Sequence, residues 1–147
     1  MDAALGASSL SWTYVRPEVA AFARVCAYDR AGFGWSDAGP LPRTVARIVE
    51  ELHHLLGRAA VPPPYVLVGH SFGGLVARAY VHRYRDEIGG LVLLDPAYPE
   101  DWLDPCQAHA QLISRGVRLC RYGWQAARIG ITDVVAALVR RGALGSA

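Results

Sequence analysis

The 147-residue sequence has no lysine. All fifteen basic residues are arginine, and with thirteen acidic residues the formal net charge is +2. The arginines are scattered, so the basic stripe that would track nucleic acid is missing. Cysteine is scarce as well. Cys26, Cys106 and Cys120 are too few for a disulfide framework and lack metal-ligand spacing. Cys26 sits in an apolar run and is expected to pack as a small buried hydrophobe. No uncharged apolar stretch reaches the roughly eighteen residues that a spanning helix needs. The opening MDAALGASSLSW has neither a basic flank nor an apolar core, so it does not read as a signal peptide. These absences lead to the expectation of a cytoplasmic protein with no membrane span, no nucleic-acid partner, no metal and no cofactor.

What is present is apolar. Hydrophobic residues make up 52% of the chain and charged residues 19%, the balance of a globular domain rather than a disordered one. Three short runs read as buried strands: residues 23–28, 65–69 and 90–95. Between the first two, Val45, Ile48, Val49, Leu52, Leu55 and Leu56 recur at three- and four-residue spacing, with Arg47, Glu50, Glu51 and Arg58 between them. That pattern predicts an amphipathic helix over about 43–60, stopped by Pro62-Pro63-Pro64. A second helix follows the middle strand over 75–84. Strands alternating with helices, each strand a continuous apolar run, imply a parallel sheet under helical cover. Beyond Pro105 the pattern changes to two helical stretches, about 106–122 and 124–141.

The chemistry is concentrated in YVLVGHSFGGLVARAY, residues 65–80. A strand runs into Gly69-His70-Ser71-Phe72-Gly73 and a helix begins. The pattern G-x-S-x-G alone is weak, although chance yields only about 0.07 matches at this composition. Its flanks make it specific, because a nucleophilic serine needs a sharp strand-to-helix turn that lifts its Oγ above the sheet. Side chains at 69 and 73 would collide with so tight a backbone. Ser71 is expected to have a strained backbone, and the Phe72 N–H, at a helix N-terminus, is placed as an oxyanion donor. The bland alternative is a glycine-rich turn with an idle serine. A phosphate loop is excluded by the absence of its Lys-Ser/Thr ending.

RVCAYDRAGFGWSD, PYVLVGHSFGG and GGLVLLDPAYPED, in that order, resemble the central part of an α/β-hydrolase of the serine-nucleophile branch. The resemblance covers about Asp2 to Asp101. It implies an α/β three-layer sandwich with a short parallel sheet, an incomplete version of the family's fold. On this reading residues 1–101 form a partial hydrolase core, and 102–147 begin the helical cap. DAALGASSLSW resembles the family's oxyanion loop, with Asp2-Ala3 where a His-Gly pair often stands, which makes the Ala4 N–H the second oxyanion donor. In that family the middle strand between 23–28 and 65–69 would precede Gly6. Losing it leaves a gap of about 9.6 Å that ladder bonds cannot cross, unless Met1 to Leu5 fills in.

The family's triad runs Ser, acid, His, and this chain ends before the loops that usually carry the last two. His53 and His54 lie on the 43–60 helix, one or both toward solvent. His70 neighbours Ser71 in the turn and projects elsewhere. His82 lies about 15 Å along the next helix, out of reach. His109, in the cap segment, is the one histidine that could hang over the site. Asp95 ends the third strand, where some members carry the triad acid, and the alternative is a structural Asp-Pro turn. Asp29 and Arg30 read as a pair bracing their own loop. The general base is therefore expected to be missing, as in a hydrolase truncated at both ends.

The expected substrate is a small molecule with an ester or similar acyl bond, cleaved weakly or not at all by this chain alone. The rival reading is a non-catalytic remnant that binds a hydrophobic ligand or a partner chain. Exposed sheet edges are expected to favour self-association.

Overall fold

The computed structural model describes residues 1–103 and, beyond them, residues 107, 110, 111, 114–116, 118, 122, 125, 126 and 129–131. The chain falls into two units, Met1–Pro99 and Glu100–Ala147. In the second, a short helix spans Glu100–Leu103, and the described residues between 107 and 126 are helical. His109, Cys106 and Cys120 lie outside the described residues.

In the first unit a 3-10 turn at Ser9–Trp12 leads to α1 (Val15–Ala20). Helix α2 (Val45–Arg58) starts at Thr44, whose hydroxyl accepts the Arg47 N–H at 3.3 Å and satisfies an otherwise orphan donor. Arg43 clasps Glu51 through two bonds of 2.6 Å, so the chain entering α2 is tied to its second turn. Next come β1 (Tyr65–His70), α3 (Phe72–Arg83) and β2 (Ile88–Leu94).

Strands β1 and β2 are parallel neighbours, with Leu67 opposite Leu91 and His70 opposite Leu94. Because side chains alternate across a strand, Tyr65 and Leu67 face α2 and α3 while Val66 and Val68 face away. The core lies on the helical side: Ile48, Val49 and Leu52 from α2 meet Val76 and Tyr80 from α3. Val49, Val76 and Tyr80 are fully buried, and such burial stabilises by about 1.5–3 kcal/mol per large apolar side chain. Tyr80 brings a hydroxyl into this core, and that hydroxyl is satisfied. It donates to Glu87 Oε2 at 2.8 Å and lies 3.2 Å from His53 Nδ1.

The expected strand at 23–28 does not form, and residues 24–30 join no ladder. Met1 and Asp2 lie between them and β1. The Asp2 N–H donates to the Val68 carbonyl at 2.8 Å, the His70 N–H returns to the Asp2 carbonyl at 3.1 Å, and the Met1 amino group donates to the Cys26 carbonyl at 2.7 Å. One bridging residue is too little backbone to make a strand, and without a full middle strand the 23–28 run has nothing to pair with. Cys26 is accordingly exposed rather than buried.

Candidate functional site

The turn between β1 and α3 holds Ser71 at φ 53° and ψ −117°, a conformation that non-glycine residues seldom adopt. Three backbone bonds keep it there. The Ser71 N–H donates to the Leu94 carbonyl at 3.1 Å, and the Ser71 carbonyl accepts the N–H groups of Gly74 and Ala97, each at 2.9 Å. The glycines are required by proximity: a Cβ on Gly69 would collide with the Gly73 backbone, and one on Gly73 with the Asp2 and Ala3 carbonyls. The second collision shows that the N-terminal segment lies directly against the elbow. The Ser71 side chain makes no capping bond, and no hydrogen bond among the described residues engages the N–H of Phe72 or of Ala4. Ser71 is half-buried, at the N-terminal end of a twelve-residue helix whose dipole favours a developing anion.

Behind the turn, Arg30 is buried, with 4% of its surface exposed. Its guanidinium donates to the Asp2 carboxylate, to the Ala3 carbonyl at 2.7 Å and to the Ala4 carbonyl at 2.6 Å. It also lies 5.5 Å from the Phe33 ring centroid and 5.3 Å from that of Phe72. The Tyr28 hydroxyl completes the Asp2 environment with a 2.9 Å bond to the other carboxylate oxygen. Burial pushes the Asp2 carboxyl up from its ordinary value, against the pull of Arg30 and Tyr28. Burial, reinforced by the Asp2 charge, pushes the Tyr28 hydroxyl well above its own.

Of the expected loop-bracing pair, Asp29 does tie its own loop, at Trp35 and Ser36, whereas the Arg30 guanidinium does not. Asp29 accepts the Ser9 N–H at 2.6 Å and the Trp35 N–H at 3.1 Å, and the Ser9 bond above all holds its carboxyl below the ordinary range. Arg30 turns the other way, to Asp2. Those two residues are 28 positions apart, and no local pattern in the sequence announces their pairing.

Asp95 lies one step past the end of β2, beside Ser71, with φ 43°. It is exposed, and its carboxylate makes no hydrogen bond among the described residues, so it caps no turn there. His54 and His82 are exposed. His53 is half-buried and stacked on Tyr84, with centroids 4.0 Å apart. No described histidine bonds Ser71. An apolar groove of about 440 Å³ runs along the open edge of β1 between Cys26 and Tyr28 on one side and Val66 and Leu67 on the other, and Ser71 is not on its wall. Among the described residues no His, Cys, Asp or Glu cluster is suited to a metal.

A family model described as the alpha/beta hydrolase fold matches residues 4–127. An uncharacterized Bacillus subtilis protein, YqjL, is 38% identical over 96 residues, which is 65% of this chain and 38% of that protein. The crystal structure of a probable hydrolytic enzyme from Pseudomonas aeruginosa superimposes with a TM-score of 0.64 at 29% identity, covering 69% of this chain and 33% of that one. A second Pseudomonas aeruginosa hydrolase gives 0.62 at 28%, covering 70% of this chain and 40% of that one. The chain spans 20%, 38% and 14% of the lengths of three curated relatives that it matches. The family match takes in most of the chain, and the chain belongs to the α/β-hydrolase fold family.

Proposed function

We propose that this is a serine hydrolase acting on ester-type acyl bonds, with Ser71 as the nucleophile. The observation that carries the reading is the strained turn at φ 53°, whose serine side chain makes no hydrogen bond among the described residues. Ser71 Oγ attacks the carbonyl carbon, and the Phe72 and Ala4 N–H groups hold the oxyanion that forms. Collapse of the tetrahedral adduct expels the alcohol, which takes up the proton that Ser71 gives up, and leaves an acyl group on Ser71; water then adds to that acyl carbon, releasing the acid and returning a proton to Ser71 Oγ. Asp95 is the candidate triad acid. No described histidine reaches Ser71, and a serine hydroxyl without a base is a poor nucleophile at neutral pH. With the described residues alone Ser71 lacks its base, and slow acylation without enzyme-like turnover is the expected behaviour.

A second reading, a binding module for an apolar ligand or partner chain, draws support from the groove beside β1. Intact-mass measurement after incubation with p-nitrophenyl acetate separates the two. The hydrolase reading expects a single acetyl group, mapped to Ser71 and lost in Ser71→Ala. Equal labelling of Ser71→Ala would sink it. Hydrolysis of p-nitrophenyl butyrate by His109→Ala, compared with the parent chain, asks whether that cap histidine acts as the base. A large rate that depends on both Ser71 and His109 would assign it.

A further inference from the structure

We propose that Arg30 is the positioning residue of the oxyanion hole, a role that rests on the Ser71 reading above. Ala4 belongs to no helix or strand, so no ladder orders its backbone. Here it is held by a buried side chain. Arg30 Nη1 grips the carbonyl of Ala3, and Nη2 grips that of Ala4. The Ala3 carbonyl and the Ala4 N–H belong to one peptide plane, and in a trans peptide they point in opposite directions. Fixing the carbonyl therefore fixes the direction of the N–H. Gripping the Ala4 carbonyl as well sets the next plane, so neither peptide is free to rotate. The same guanidinium packs on the ring of Phe72, whose N–H is the other proposed donor. One side chain thus joins both halves of the hole.

The chemistry suits arginine and not lysine. Contacts to a carboxylate and to two carbonyls need a planar fork of several donors, which a single ammonium cannot reproduce. Asp2 balances the charge, so the guanidinium stays buried behind the loop instead of swinging toward the developing anion.

The test uses the full chain and phenylboronic acid, whose boron accepts Ser71 Oγ while the serine proton passes to solvent. The resulting anionic boronate mimics the oxyanion, and its tetrahedral boron is read by ¹¹B NMR. The adduct is expected in the parent chain and lost in Ser71→Ala. Arg30→Lys is expected to weaken it about a hundredfold, the order of effect of losing one oxyanion donor. Tyr28→Phe removes a bond to Asp2 without touching the carbonyl grip, so it is expected to lower the melting temperature and leave the adduct unchanged. Should Arg30→Lys not fold, the double variant Arg30→Gln with Asp2→Asn leaves no unpaired buried charge and carries the same expectation. A folded Arg30 variant that binds the boronate like the parent overturns the inference and leaves Ser71 standing. So does adduct loss that merely tracks melting temperature across all variants, Tyr28→Phe included. No Ser71-dependent adduct in the parent chain removes the Ser71 reading and this inference with it.

Discussion

Ser71 donates its backbone N–H to the carbonyl of Leu94 at 3.1 Å. The bond ties the turn after β1 to the end of β2, and it sets two strained residues side by side: Ser71 at φ 53° and Asp95 at φ 43°. Left-handed backbone costs a side-chain-bearing residue about 1–2 kcal/mol; glycine escapes most of that cost, and Asn and Asp a part of it. Two adjacent instances at the C-terminal edge of a parallel sheet, where ligands bind, mark a place that folding alone would not favour.

Asp95→Gly is therefore expected to stabilise the chain by about 0.5–1 kcal/mol, since the relief of strain exceeds the extra entropy that glycine loses on folding. Asp95→Ala keeps the strain and removes no hydrogen bond, so it is expected to be close to neutral. Urea melts of both variants decide the matter. An Asp95→Gly variant less stable than the parent would mean that the carboxylate holds something the described contacts omit.

Gly73→Ala reverses a familiar sign. On an ordinary helix the change stabilises by nearly 1 kcal/mol. Here the new Cβ meets the Asp2 and Ala3 carbonyls, which are backbone and cannot swing aside. Met1 to Ala4 must lift off β1, losing the bonds from Asp2 to Val68 and from His70 to Asp2. The expected outcome is a loss of about 1–3 kcal/mol, the usual cost of overpacking. Faster hydrogen exchange at the His70 amide should accompany it. A variant with unchanged His70 exchange would show that the N-terminal segment is not seated on the elbow.

The elbow, both paired strands and α2 were legible because their signals are local. The Tyr65–Gly69 run, the glycines at 69 and 73 and the spacing of Ile48, Val49 and Leu52 each specify structure over a few residues. The 23–28 run carries an equally good strand pattern and still makes no strand, because a ladder needs a neighbour and no local pattern reports one. The exposure of Cys26 follows from the same missing neighbour. The Arg30–Asp2 pair was hidden for a related reason. Adjacency to Asp29 suggested a local brace, while the partner lay 28 residues away in a segment with no charge pattern. His53 looked like a surface residue on an amphipathic helix, and only the approach of Tyr80, Tyr84 and Glu87 from other elements draws it in.

Acid is expected to destabilise the chain through Asp29 and Glu51. The Ser9 N–H holds the Asp29 carboxyl below its ordinary range, and Arg43 does the same for Glu51. A depressed folded-state value means that these carboxylates contribute stability above their unfolded values near about pH 4, lost as pH falls through the folded ones. Asp2 has the opposite sign. Its raised value costs stability at neutral pH, and protonation relieves that cost. Both Asp29 and Glu51 are partly solvated, so screening keeps each contribution small, about 1 kcal/mol. Asp29→Asn should cost about that much at neutral pH and flatten the acid limb of a stability profile. Parallel acid limbs in parent and variant would mean that the Ser9 and Trp35 bonds do not favour the charged form.

The face of the sheet turned away from α2 and α3 carries the last expectation. Val66 is 63% exposed, and Val92 and Leu94, each 43% exposed, share its side of the sheet. Beside them, among the described residues, the edge of β1 is bridged only at Gly69, by Asp2. Its remaining N–H and C=O groups on that side are free to pair with another chain. An apolar face next to an open edge is expected to drive concentration-dependent association, read as a rising sedimentation coefficient. Val66→Lys places a charge on both features at once and should suppress the association. The side chain is already mostly in water, so the substitution should change stability by no more than about 0.5 kcal/mol. A parent chain that stays monomeric at its highest soluble concentration would show that this face and edge are not sticky. Association that persists unchanged in Val66→Lys would instead move the contact to another surface, such as the exposed Phe22 or Trp35.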